Sequence, residues 1–80
     1  MYYNIDIPES LANAIMNGTR QIIVRQTDLH ERGNVIRFSV TSALNSYAYL
    51  NHDIDKCRFK VEELHNLDGY QILRFVRITQ

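Results

Sequence analysis

Apolar and polar residues alternate with two different periods along this chain. Residues 2–7 alternate strictly, with Tyr3, Ile5 and Ile7 on one side and Tyr2, Asn4 and Asp6 on the other. That period of two predicts a half-buried strand. Pro8 follows and suits the first turn of a helix, where its missing N–H has no partner to lose. Residues 9–18 then switch period. Leu11, Ala14 and Ile15 fall on one face, and Gly18 is the expected stop. A helix of about ten residues cannot stand alone, so it must pack on a sheet.

Residues 20–25 are rich in β-branched side chains and predict a second strand. The stretch 26–34 reads as a turn-rich connection with one helical turn at 28–31, closing at Gly33-Asn34. Ile36, Phe38 and Val40 then point one way and Arg37, Ser39 and Thr41 the other. Residues 44–53 carry Tyr47 and Tyr49 without a clear period and fit either a short strand or a loop. Cys57, Phe59 and Val61 point inward on the next strand, and Leu64 is out of phase, which predicts a bulge or strand end near Glu62-Glu63. A hairpin turn at 65–69 leads to the last strand. That strand is apolar on both faces (Ile72 and Val76; Leu73 and Phe75), so it is expected to be covered on both sides. The order β-α-β-β-(β)-β-β predicts a single α+β domain over residues 1–80. It is expected to be a small, curled, mostly antiparallel β-barrel with one N-terminal helix packed on it.

Eighty residues bury only about 60–65% of their unfolded surface, so any site is built from the same elements as the core. No apolar run reaches the roughly 18–20 residues of a membrane helix. The start has no basic and apolar leader pattern. The single cysteine, Cys57, has no internal partner, and a reducing cytoplasm is the expected location. Although Lys56 and Arg58 flank it, such a residue is more often a small buried apolar group than an activated thiol. His30, His52 and His65 show no metal-ligand spacing, and no phosphate-loop or dinucleotide fingerprint appears, so neither a metal nor a cofactor is expected. Net charge is zero, which lacks the basic balance of a strong non-specific nucleic-acid binder. Seven of the nine cations are arginines, however, the residue suited to bidentate phosphate contacts and to stacking.

The residues Ile15, Gly18, Arg20 and Arg25, then Gly33, Asn34 and Ile36, then Phe59 and Val61, then Gly69, Tyr70, Ile72 and Leu73 form an ordered pattern. In it, A-I-x-x-G-x-R-x-x-x-x-R precedes G-N-x-I-x-F, F-x-V and G-Y-x-I-L. This pattern resembles the ASCH domain of the PUA-like superfamily, especially its short bacterial and phage-type members. The resemblance implies a small barrel that handles RNA or nucleotides. Some small members are amidohydrolases acting on N4-acetylcytidine, with a motif lysine as base beside a threonine nucleophile and a downstream glutamate assisting. Here Arg20 stands at the lysine position and Ile23 at the threonine position. Arginine holds its proton too tightly to act as a base, and isoleucine has no hydroxyl. Glu62 and Glu63 are both available for the glutamate's place, and no spacing selects either. Val24 stands where a glutamate is common, and Gly33-Asn34 replaces Gly-Asp.

The leading expectation is therefore a non-catalytic RNA- or nucleotide-binding module. The alternatives are an amidohydrolase with a rearranged site and a protein-interaction accessory module. The candidate ligand-binding residues are Arg20, Arg25, Tyr47, Tyr49 and Tyr70. Arg20 and Arg25 are five apart, so on a regular strand they face opposite sides. The family comparison favours Arg20 for ligand contact. Arg25 is left free to anchor the following loop, with Asp28 as an available partner. The tyrosines are candidates because aromatic rings stack on unpaired bases, while by residue type Tyr70 is also expected to pack in the core with its hydroxyl at the surface.

Overall fold

The computed structural model describes residues 2–25, 30–45 and 47–78. Along them run β1 (Tyr2–Pro8), α1 (Glu9–Met16), β2 (Gln21–Arg25), β3 (Val35–Thr41) and β4 (Tyr49–Leu50). A 3-10 turn (Asp53–Lys56), β5 (Arg58–Leu67) and β6 (Tyr70–Ile78) complete the order. The strands form one mixed sheet in the order β1-β3-β5-β6-β2, with β4 added to β3. β1 runs parallel to β3, and the other pairings are antiparallel. The sheet is not closed. Its two edges, β1 and β2, are consecutive in the chain and joined by α1.

Local chemistry sets these elements. Pro8 ends β1 in an extended conformation (φ −73°, ψ 159°) and serves as the N-cap, one position before the helical turn it was expected to join. α1 has eight residues rather than ten. It ends where Gly18 takes a φ of +118°, and the Gly18 and Thr19 amides donate to the carbonyls of Ile15 and Ala14. Ala12 and Ile15 are its buried residues. Within the unpatterned stretch 44–53 only Tyr49–Leu50 forms a strand, paired with the end of β3, and Tyr47 lies outside it. The predicted helical turn at 28–31 and the Arg25–Asp28 contact fall on Asp28 and Leu29, which lie outside the described residues.

Three rings from three adjacent strands make the centre of the core. Phe38, Phe59 and Phe75 are buried, with ring centroids 5.2–5.4 Å apart in tilted and edge-on arrangements. Each such pair contributes roughly 0.5–1.5 kcal/mol beyond the area it buries. Ile15, Ile36, Val40, Ile54, Val61 and Leu73 pack around them, and Ile7, Ala12, Ile22 and Cys57 belong to the same cluster. The pairing of β5 with β6 shifts register between Val61 and Glu63, so Glu62 is the extra residue and Leu64 returns to the core side. The out-of-phase leucine in the sequence was this bulge.

One expectation about β6 is not met. Gln71, Leu73 and Phe75 are buried, but Tyr70 and Val76 on the other face are 46% and 38% exposed. No described element covers that face.

Replacing Phe38 with alanine is expected to cost about 3–5 kcal/mol, because the rigid triad cannot collapse into the space. The whole stability of a domain this size is roughly 4–12 kcal/mol, so the urea midpoint should fall by a large fraction. Arg77→Ala, on an exposed residue, should move it by no more than about 0.5 kcal/mol.

Candidate functional site

The open seam between β1 and β2 is a cleft of about 400 Å³. Tyr3, Ile5 and Ile7 of β1 line one side, and Ile22 and Val24 of β2 the other. Leu11 lies at the helix end, and His30 and Arg25 lie at the opposite end. A volume of this order suits a small organic ligand. The backbone adds polarity to an otherwise apolar wall. The Phe75 amide donates to the Arg20 carbonyl at 2.9 Å, which fixes the phase of the β2–β6 ladder. By antiparallel alternation Ile22 and Val24 exchange hydrogen bonds with β6. Gln21, Ile23 and Arg25 therefore direct their N–H and C=O groups toward the seam.

The far end of the cleft is held by a residue the sequence reading passed over. Gln71 is only 1% exposed. Its side-chain oxygen accepts from the His30 amide and its nitrogen donates to the His30 carbonyl, both at 3.1 Å. The same nitrogen donates to Asn66 Oδ1 at 3.1 Å. The buried amide thus acts as a short piece of strand, pairing both backbone groups of His30. It seats the His30 ring edge-on to Tyr3, with centroids 4.9 Å apart. A lone glutamine in an apolar strand was the available signal, and its inward parity with Leu73 and Phe75 could have been read.

The five sequence candidates separate. Arg25 lies at the cleft, is exposed, and makes no ion pair among the described residues. Tyr70 is its cross-strand partner on β6. Arg20 is elsewhere. Its guanidinium donates to the carbonyls of Ile15 (2.7 Å) and Thr19 (2.9 Å) and lies 5.5 Å from the Phe59 ring centre. There it satisfies the open end of α1, where a cation also meets the negative end of the helix dipole. Tyr47 is 92% exposed near the tip of the β3–β4 hairpin, beside Leu44 at 99%. Tyr49 reaches over β3, and its hydroxyl donates to Asp6 Oδ2 of β1 at 3.1 Å. Asp6 belongs to an outer-face network in which Asn4 donates to Asp6 and accepts from Ser39. The structure thus brings Arg25 and Tyr70 together, places Tyr49 over β1, and leaves Arg20 and Tyr47 apart from both.

Other reactive groups serve the architecture. His52 Nδ1 accepts from the Ile54 amide, so its proton is on Nε2, which faces Asn13 Oδ1 of α1 at 2.7 Å. This histidine ties the helix to the 3-10 turn. Cys57 is 4% exposed, with Met16 Sδ at 3.8 Å. Among the described residues no three His, Cys, Asp or Glu side chains are grouped to hold a metal ion, and no helix is long and apolar enough to cross a membrane. No protein-family model matches the chain, and no curated protein matches it.

The Asp6 contact has a spectroscopic consequence. The hydrogen bond to Asp6 stabilises the neutral phenol, and the carboxylate charge opposes the phenolate, so Tyr49 titrates above its ordinary 10.0. Asp6→Asn should bring it back toward that value, read from the Tyr49 ring resonances against pH. A pKa that stays raised in the variant rules out Asp6 as the cause.

Proposed function

We propose that the protein is a small non-catalytic module of the ASCH/PUA-like type that binds RNA or a nucleotide-type ligand in the seam between β1 and β2. The observation that carries this reading is the cleft itself. It combines an apolar floor, an aromatic end wall of Tyr3 and His30, strand-edge donors and acceptors directed toward it, and a guanidinium with no ion-pair partner among the described residues. A flat base suits the apolar floor, and strand-edge amides suit the hydrogen-bonding edge of a base. Arg25 supplies the phosphate contact. In this reading the curled open sheet is a barrel of that type with its seam left open for the ligand. Arg20 contributes by fixing the end of α1, so ligand contact is assigned to Arg25 instead. A reducing cytoplasm fits the lone buried cysteine.

A protein-interaction role is the second reading, and one observation favours it: Leu44 and Tyr47 stand almost wholly exposed on one hairpin. For the amidohydrolase alternative, the two motif positions offer no working pair. Ile23 is 64% exposed on the outer side of β2, and Arg20 is bonded to backbone carbonyls.

Titration at low salt with short single-stranded RNA and with cytidine derivatives tests the proposal, because low salt favours phosphate contacts. Saturable binding is expected, and Arg25→Ala should weaken it about tenfold or more, the cost of one charge-assisted hydrogen bond. The urea midpoint should stay unchanged, since Arg25 is exposed. Binding to neither ligand class, or binding indifferent to Arg25→Ala, overturns the proposal.

A further inference from the structure

Strand β6 carries more apolar residues than the described residues of its chain cover. Ile72, Tyr70 and Val76 share the outer face, opposite the buried Leu73 and Phe75. A strand with apolar residues on both faces is normally buried on both. The neighbouring strands extend this face. In register, Ile23 of β2 lies beside Ile72, which lies beside His65 of β5. One step along, Arg25 lies beside Tyr70, which lies beside Leu67. Ile23 is 64% exposed and Leu67 is 47% exposed. Four large apolar side chains on three hydrogen-bonded strands thus form one continuous patch. Exposed patches of this kind mark interaction surfaces, whereas scattered single residues do not.

We propose that this face is covered by the same face of a second copy of the chain, sheet against sheet. The margins supply the argument for a copy as the occupant. On the other side of the Ile23–Ile72 row lies the row Gln21, Arg74 and Glu63, in which Arg74 and Glu63 are ion-paired at 3.4 Å. A twofold axis lying between the two sheets and across their strands sets each outer row of one copy against the opposite outer row of the other. Gln21 then faces Arg25, Arg74 faces Tyr70, and Glu63 faces Leu67. The central rows face themselves, isoleucine on isoleucine and His65 on His65. No two Arg, Lys, Asp or Glu side chains of like sign meet, and Arg74 comes to an aromatic face that attracts a cation. The face can therefore meet its own copy without a like-charge contact between these side chains.

The patch is small. Three strands about 4.8 Å apart and three rows deep cover only about 250–300 Å² of face per copy, smaller than a standard specific interface and of the size of a weak, transient one. Association should be concentration-dependent, with a dissociation constant on the order of micromolar to a hundred micromolar. This inference does not rest on ligand binding.

Sedimentation velocity over roughly 5–500 μM protein covers that range. The mean mass should rise from the 9.4 kDa of one chain toward twice that value. Ile23→Asp, at an exposed position, should hold the protein at one chain throughout while circular dichroism and the urea midpoint stay unchanged. Leu67→Glu should do the same at the opposite margin of the patch. Leu44→Asp at the hairpin tip should leave the dimer intact. A wild-type protein that remains a single chain at the highest concentration overturns the proposal. So does a dimer that survives both Ile23→Asp and Leu67→Glu, or one lost only on Leu44→Asp.

Discussion

β1 pairs in parallel with β3, and that pairing holds it at the opposite edge of the sheet from β2, the strand that follows it in the chain. A parallel neighbour cannot be reached by a tight hairpin. The chain therefore runs through α1 and β2 before β3 comes back beside β1. The consequence is a sheet with two free edges facing one cleft. α1 covers the Ile7 end of that cleft through Leu11, and His30, clamped by Gln71, lines the Tyr3 end. The Phe38, Phe59 and Phe75 triad holds the three inner strands that keep the edges in place.

Much of this architecture was legible from side-chain parity. The inward sets Ile36, Phe38, Val40 and Cys57, Phe59, Val61 are buried as their alternation requires, and the displaced Leu64 marked a real bulge. Element order was legible for the same reason: period two and period 3.6 separate cleanly in short segments. The open seam was not legible. Whether the two end strands of a curled sheet meet depends on strand tilt and on the path of α1, and neither leaves a trace in residue alternation. The hairpin at β4 was ambiguous because two paired residues are too few to show a period.

The candidate site divides along the same line. Arg20 and Arg25 stand one at each end of an apolar run, and the resemblance favoured Arg20 for ligand contact. The helix end distinguishes them. α1 stops with open carbonyls next to Arg20, and the guanidinium is drawn into capping it, whereas Arg25 lies five residues on at the cleft rim. The Gln71 clamp was hidden because its partners are the backbone groups of a residue 41 positions away. Tyr70 was expected by residue type to pack in the core, yet its register puts it on the outer face beside Arg25.

The open seam is the claim on which the ligand reading depends, and amide hydrogen exchange along β2 tests it most directly. If the seam is open, exchange should alternate along the strand. The amides of Ile22 and Val24, bonded to β6, should be protected, and those of Gln21, Ile23 and Arg25 should exchange rapidly. Uniform protection of all five would mean that β1 and β2 pair and that the cleft does not exist.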